Sequence, residues 1–210
     1  MNRALKIFAL AISILLHPIL MPTFGMVMFC LACPTIANIL MTRHLILSLT
    51  GTLFFTLVIP TVMLLLLRKR GQIESLYITD AKQRTTPYIY TIICYCIWAY
   101  FLRMMLRMPL FIFLVAVGAI IALVSILIIN NWWKISAHLT GLGGLIGGIC
   151  SFALNYAIVP TYIIIIAFIL ALLLMYTRLY LNAHTPLQVV GGLVFGIFST
   201  FIPTLIMTHA

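Results

Sequence analysis

Residues 110–130 read LFIFLVAVGAIIALVSILIIN, with one hydroxyl, Ser125, before the closing Asn130. A run this long and this apolar crosses the roughly 30 Å hydrocarbon core of a bilayer as a helix, because about 20 residues suffice and a helix satisfies its own backbone hydrogen bonds. Working outward, similar runs lie near residues 8–31, 45–67, 88–104, 138–157, 160–176 and 186–207. Those at 88–104 and 160–176 are short, at the low edge of what spans. Composition agrees: 65% of the 210 residues are hydrophobic and 7% are charged, against about 25% charged in a soluble domain. The chain therefore reads as an all-α polytopic transmembrane helix bundle of six or seven spans. No polar linker or low-complexity stretch divides residues 1–210, so a single domain is expected.

Whether there are six spans or seven turns on the first run. From Ile7 to Leu40 it is too long for one straight helix, and His17-Pro18 and Met21-Pro22 interrupt it. Proline removes a backbone donor and clashes with the preceding turn, so a kinked helix or a re-entrant hairpin is expected. Arg3 and Lys6 ahead of this run imitate a signal peptide. No small-residue cleavage pattern follows and the prolines break the run, so it is read as mature structure.

Twelve Lys and Arg face only two acidic residues, Glu74 and Asp80, for a formal charge of +10. The basic residues stand between apolar runs, which favours anionic lipid head groups or a phosphorylated ligand over nucleic acid. Cys30 and Cys33 have C-x-x-C spacing but no His or Asp close by, so they read as packing residues rather than a metal or redox pair. Gly143, Gly144, Gly147 and Gly148 form overlapping G-x-x-x-G pairs, and Gly192 and Gly196 another. Small residues at this spacing let helices approach closely, within the chain or, as the alternative, across a dimer face.

The polar residues fall into three clusters. Arg68-Lys69-Arg70 and Asp80 to Pro87 follow the second run, Lys134 to His138 the fourth, and Thr177-Arg178 with Asn182 to Pro186 the sixth. Two spans separate each cluster from the next, so parity puts all three on one membrane face. Together they offer cations, hydroxyls and two histidines. That set suits an anionic group with several oxygens, such as phosphate, which Arg binds through its planar fork. Two histidines can divide the work of nucleophile and general acid. Hard metals prefer carboxylates, which are scarce here, so no metal and no cofactor is expected.

These clusters resemble the motifs of the type 2 phosphatidic acid phosphatase superfamily of membrane lipid phosphatases, whose pattern is K-x6-R-P, then P-S-G-H, then S-R-x5-H-x3-D. The third motif reads here Thr177-Arg178, His184 and Gln188 at the same spacing; the second reads Ile135-Ser136-Ala137-His138; the first reduces to Arg84 ahead of Thr85-Thr86-Pro87. The resemblance covers residues 70–205. It implies that His184 attacks phosphorus, that His138 protonates the leaving oxygen, and that Arg178, Arg84, Lys82 and Ser136 hold the phosphate without a metal. Gln188 stands where the family has the Asp that orients the nucleophile. Either Gln188 orients His184 without contributing charge, or Asp80 supplies the carboxylate; Asp80 can equally pair with Arg84 four residues on.

The expected substrate is a phospholipid phosphate or a prenyl phosphate, turned over in a bacterial inner (plasma) membrane. The alternatives are a weak or inactive relative that binds lipid phosphate, for which Gln188 and the eroded first motif argue, and a transporter, suggested by the broken first run. The resemblance implies an external active face. Seven spans place Arg3, Lys6, Arg68, Lys69 and Arg70 on that face against Arg43, Arg103 and Arg107 opposite, which would make it cytoplasmic. A re-entrant first segment reverses the count, and that arrangement is the one expected.

Overall fold

Each long apolar run folds as helix. The structure, a computed structural model, describes residues 3–32, 42–73, 81–156 and 159–206, and no strand occurs among them. The helices are α1 (Arg3–Leu15), α2 (Met21–Ala32), α3 (Thr42–Leu53), α4 (Ile59–Lys69), α5 (Ala81–Tyr100), α6 (Leu110–Ile129), α7 (Ala137–Tyr156), α8 (Thr161–Tyr180) and α9 (Pro186–Ile206). A π-helical turn, Phe54–Val58, joins α3 to α4, and another, Phe101–Met105, extends α5. Counted as continuous stretches, seven helices among the described residues are long and apolar enough to cross a membrane, so this is an all-α integral membrane bundle.

The two runs read as short are longer in the structure: Gln83–Met105 and Thr161–Tyr180 are 23 and 20 residues. Apolarity ends before the helices do. α8 continues through Thr177, whose hydroxyl folds back onto the Leu174 carbonyl at 2.8 Å, and through Arg178. The helix thus carries its polar end into the bundle.

The first run is broken where the prolines predict. α1 ends at Leu15, a single 3₁₀ turn covers Pro18–Leu20, and α2 begins at Met21. His17 caps that turn: its Nδ1 accepts the Ile19 N–H at 3.4 Å, and Pro18 occupies the first position, where a missing donor costs nothing. The break is seated on α7, since a methyl group at Gly141 would lie 2.9 Å from Pro18 Cβ.

The glycine clusters pack α7 against α9. A Cβ on Gly143 or Gly147 would run into the backbone carbonyls of Leu193 and Ile197, and one on Gly196 into that of Thr140. Thr200 locks the contact by donating to the Gly144 carbonyl at 2.7 Å. On the other flank α6 meets α9 through Gly118, which faces the Ser199 and Thr200 backbone. The close approach of these helices fixes the starts of α7 and α9, which carry His138 and follow His184, side by side.

Candidate phosphate site

The segment between α8 and α9 is built by two local rules placed back to back. α8 stops in a Schellman motif: Asn182 adopts a left-handed conformation (φ 50°), its N–H returns to the Leu179 carbonyl at 2.9 Å, and the Ala183 N–H returns to Arg178 at 3.1 Å. Asparagine tolerates this conformation better than other residues with a side chain. α9 then starts with Thr185 as cap, Pro186 in first position, and Gln188 reaching back so that its Oε1 accepts the Thr185 N–H at 3.1 Å. That is one half of a capping box. The spacing from Arg178 to His184 is thus the length of a helix stop joined to a helix start.

His184 stands between the two devices. Its Nδ1 lies 3.2 Å from the Lys134 carbonyl and 3.2 Å from Gln188 Oε1. The carbonyl can only accept, and the Gln188 oxygen already accepts from Thr185, so Nδ1 carries the hydrogen. Nε2 is left with its lone pair. Burial, and after it the charge of Arg178, brings the His184 pKa from 6.5 down to about 4, with the Gln188 hydrogen bond opposing. The imidazole is therefore neutral at physiological pH.

His138 occupies the first turn of α7. Its Nε2 lies 3.2 Å from the Ser13 carbonyl of α1, again an obligate acceptor, so this nitrogen donates and Nδ1 is the one available for proton transfer. Ser13 also meets Arg178: the guanidinium Nη1 is 3.4 Å from its hydroxyl, and Arg178 is 4% exposed. The His17 ring stands edge-on to His138, with centroids 5.1 Å apart.

His17, Arg84, Lys134, His138, Arg178 and His184 line one cavity of about 680 Å³. Lys134 is held below its usual pKa by burial, with Arg84 and Arg178 adding to the effect. Of the residues singled out in the sequence, Arg84, His138, Arg178 and His184 share this cavity, and Gln188 stands behind His184. Ser136 does not line it. Its side chain is fully buried and its hydroxyl has no hydrogen-bond partner, while its backbone N–H donates to the Gln188 carbonyl at 3.2 Å. Ser136, expected to hold phosphate, ties the start of α7 to the start of α9 through its main chain. Lys82 falls in the first turn of α5 with its side chain outside the described residues, and Asp80 and Glu74 lie outside them altogether.

Three contributors were not singled out: Ser13, His17, and the Lys134 main chain. His17 did carry a signal, since an ionisable residue inside an apolar run marks a functional site by default. Ser13 carried none, because it acts through its carbonyl and through a hydroxyl that any helix can bury.

Chemically, the polar end combines three cations, a neutral imidazole with a bare nitrogen, a second imidazole with a free Nδ1, and the start of α7, a helix N-terminus that favours anions. Among the described residues, the lining carries no carboxylate. No family model matches the chain, and neither a curated protein nor a solved structure matches it significantly.

Proposed function

We propose that the protein is a membrane phosphatase that cleaves a lipid phosphate or prenyl diphosphate through a phosphohistidine. The observation that carries this reading is the tautomer of His184. Two acceptors hold Nδ1–H, so Nε2 is unprotonated in a cavity flanked by Arg84, Lys134 and Arg178.

The phosphoryl group binds at the cationic end, where Arg178 and Arg84 meet its oxygens and Lys134 adds charge. His184 Nε2 attacks phosphorus as the bond to the lipid oxygen breaks. Protonated His138 gives its Nδ1 proton to that oxygen, and the lipid alcohol (or lower phosphate) leaves. Neutral His138 then takes a proton from water, the water oxygen attacks phosphorus, the P–N bond breaks, and inorganic phosphate is released with both histidines restored. The Lys134 carbonyl and Gln188 stabilise the imidazolium-like transition state through Nδ1–H, and the fixed cations act where charge develops. Among the described residues the donor set is nitrogen and hydroxyl rather than carboxylate, which suits direct phosphate binding better than a hard metal.

A second reading has its own observation. Gln188 provides an uncharged oxygen, shared between His184 and the Thr185 N–H, where a charged partner would serve catalysis better. That favours a protein that binds lipid phosphate without turnover. Release of inorganic phosphate from a panel of lipid phosphates by purified protein separates the two: release supports the enzyme, and saturable binding without release supports the binder.

A further inference from the structure

The cavity does not end at the cations. On α6 its wall runs through Phe111, Ile112, Val115, Ala119, Ala122 and Ile126, a stripe of period three to four along nearly the whole helix. α7 answers with Gly141, Gly144, Gly148 and Phe152. α6 arrives at the polar end and α7 departs from it, so both stripes descend from the cations toward the opposite end of the bundle. There Phe29, Phe111 and Phe152 pack on one another with ring centroids 5.0–6.4 Å apart and make an aromatic floor. Of the α7 glycines, Gly148 faces α6, where a Cβ would meet Val115 at 3.7 Å.

The length of this shaft bears on what fills it. From Ile126 to Phe111 the helical rise of 1.5 Å per residue gives about 22 Å, which an extended hydrocarbon at roughly 1.3 Å per carbon spans with about seventeen carbons.

Building on the lipid-phosphate reading above, we infer that the shaft is a tail site that measures chain length, and that the ligand is a lipid phosphate with a hydrocarbon chain of about 15–20 carbons lying inside the bundle. Charge complementarity fixes its direction, phosphate at Arg84, Lys134 and Arg178, and chain end at the phenylalanine floor.

The test uses the full chain in a non-ionic detergent, with n-alkyl phosphates of 8 to 22 carbons and a 15-carbon and a 20-carbon prenyl phosphate. Binding is read by native mass spectrometry and turnover by phosphate release. Binding should strengthen at least tenfold from 8 carbons to 16–18 and then level or fall. Ala122→Phe and Val115→Phe narrow the shaft at depths about 10 Å apart, so their optimum lengths should shorten and differ by about eight carbons; Ala119→Leu is the milder substitute if either variant is not monodisperse. Binding that does not depend on length, or optima that do not move, overturns the shaft even if turnover is robust. Length-dependent binding without any release leaves the shaft standing and removes the phosphatase. Neither binding nor release of any of these phosphates removes both.

Discussion

Two helix interruptions meet at the candidate site, and they are encoded differently. Between α8 and α9, residues 177–188 obey local rules at almost every position: Asn182 stops one helix, Thr185, Pro186 and Gln188 start the next, and His184 is carried between them. Between α1 and α2, His17-Pro18 and Met21-Pro22 announce a break and nothing more. What that break supplies to the site, the Ser13 carbonyl on His138, the Ser13 hydroxyl on Arg178 and the His17 ring against His138, depends on docking against α7 and α8. A locally encoded junction places His184, the proposed nucleophile, and a tertiary contact places His138, its proposed acid.

If this division is right, substitutions in the junction should affect the nucleophile and those in the break should affect the acid. The largest effect is expected from His184→Ala, which should lower turnover by on the order of 10⁴-fold or more for every substrate, since no neighbour replaces the attacking nitrogen. His138→Ala should lower turnover about 10²–10⁴-fold for an alkyl phosphate, and much less for a nitrophenyl phosphate, whose leaving group needs no proton. Equal losses on both substrates would contradict its role as the acid.

Gln188→Asp comes next and sharpens the junction side. A carboxylate keeps the cap to Thr185 and adds charge behind His184, so turnover should rise by about tenfold or more; the gain falls short of the roughly 10⁴ that separates Asp from Asn in a serine-protease triad, because the Lys134 carbonyl already holds the tautomer. The same variant should shift the titration of His184. In the native protein its midpoint by nitrogen-15 NMR is expected near 4, well below the ordinary 6.5, so the nucleophile stays neutral as pH falls until that region. A carboxylate at residue 188 favours the charged form and should move the midpoint up. A Gln188→Asp variant with unchanged midpoint and unchanged turnover would show that residue 188 only caps α9.

How much of this was legible follows from the same contrast. Arg178, His184 and Gln188 could be read from the chain because their spacing is set by helix-stop and helix-start chemistry, which leaves its own residues in the sequence. Parity of the apolar runs was enough to gather Arg84, His138 and Arg178 at one end. Ser136 stood out because a hydroxyl beside a candidate histidine looks like a ligand; in the structure tight packing of α7 on α9 buries it and uses its main chain. Ser13 was invisible because a carbonyl has no residue type. The lengths of α5 and α8 were underread because helices continue through polar residues when bundle partners receive them.

The smaller predictions probe the break and the stop. His17→Ala should slow alkyl phosphate turnover roughly tenfold, as loss of a supporting group behind a working one does, and spare nitrophenyl phosphate, because His17 touches the acid and not the nucleophile. Asn182→Gly should leave thermal stability nearly unchanged, whereas Asn182→Ala should cost about 1 kcal/mol, the penalty of a left-handed conformation on a residue with a Cβ; comparing unfolding midpoints of the two variants checks this.

The central claim is that His184 Nε2 becomes bonded to phosphorus. Purified protein is mixed with octadecyl phosphate, quenched within milliseconds in alkali, where phosphohistidine survives, digested, and mapped by mass spectrometry. The account predicts a phosphate on the peptide carrying His184, labile in acid, absent in His184→Ala and accumulating when His138 is replaced and a nitrophenyl phosphate is the donor. Steady release of phosphate with no such adduct at His184, or undiminished release by His184→Ala, would contradict it.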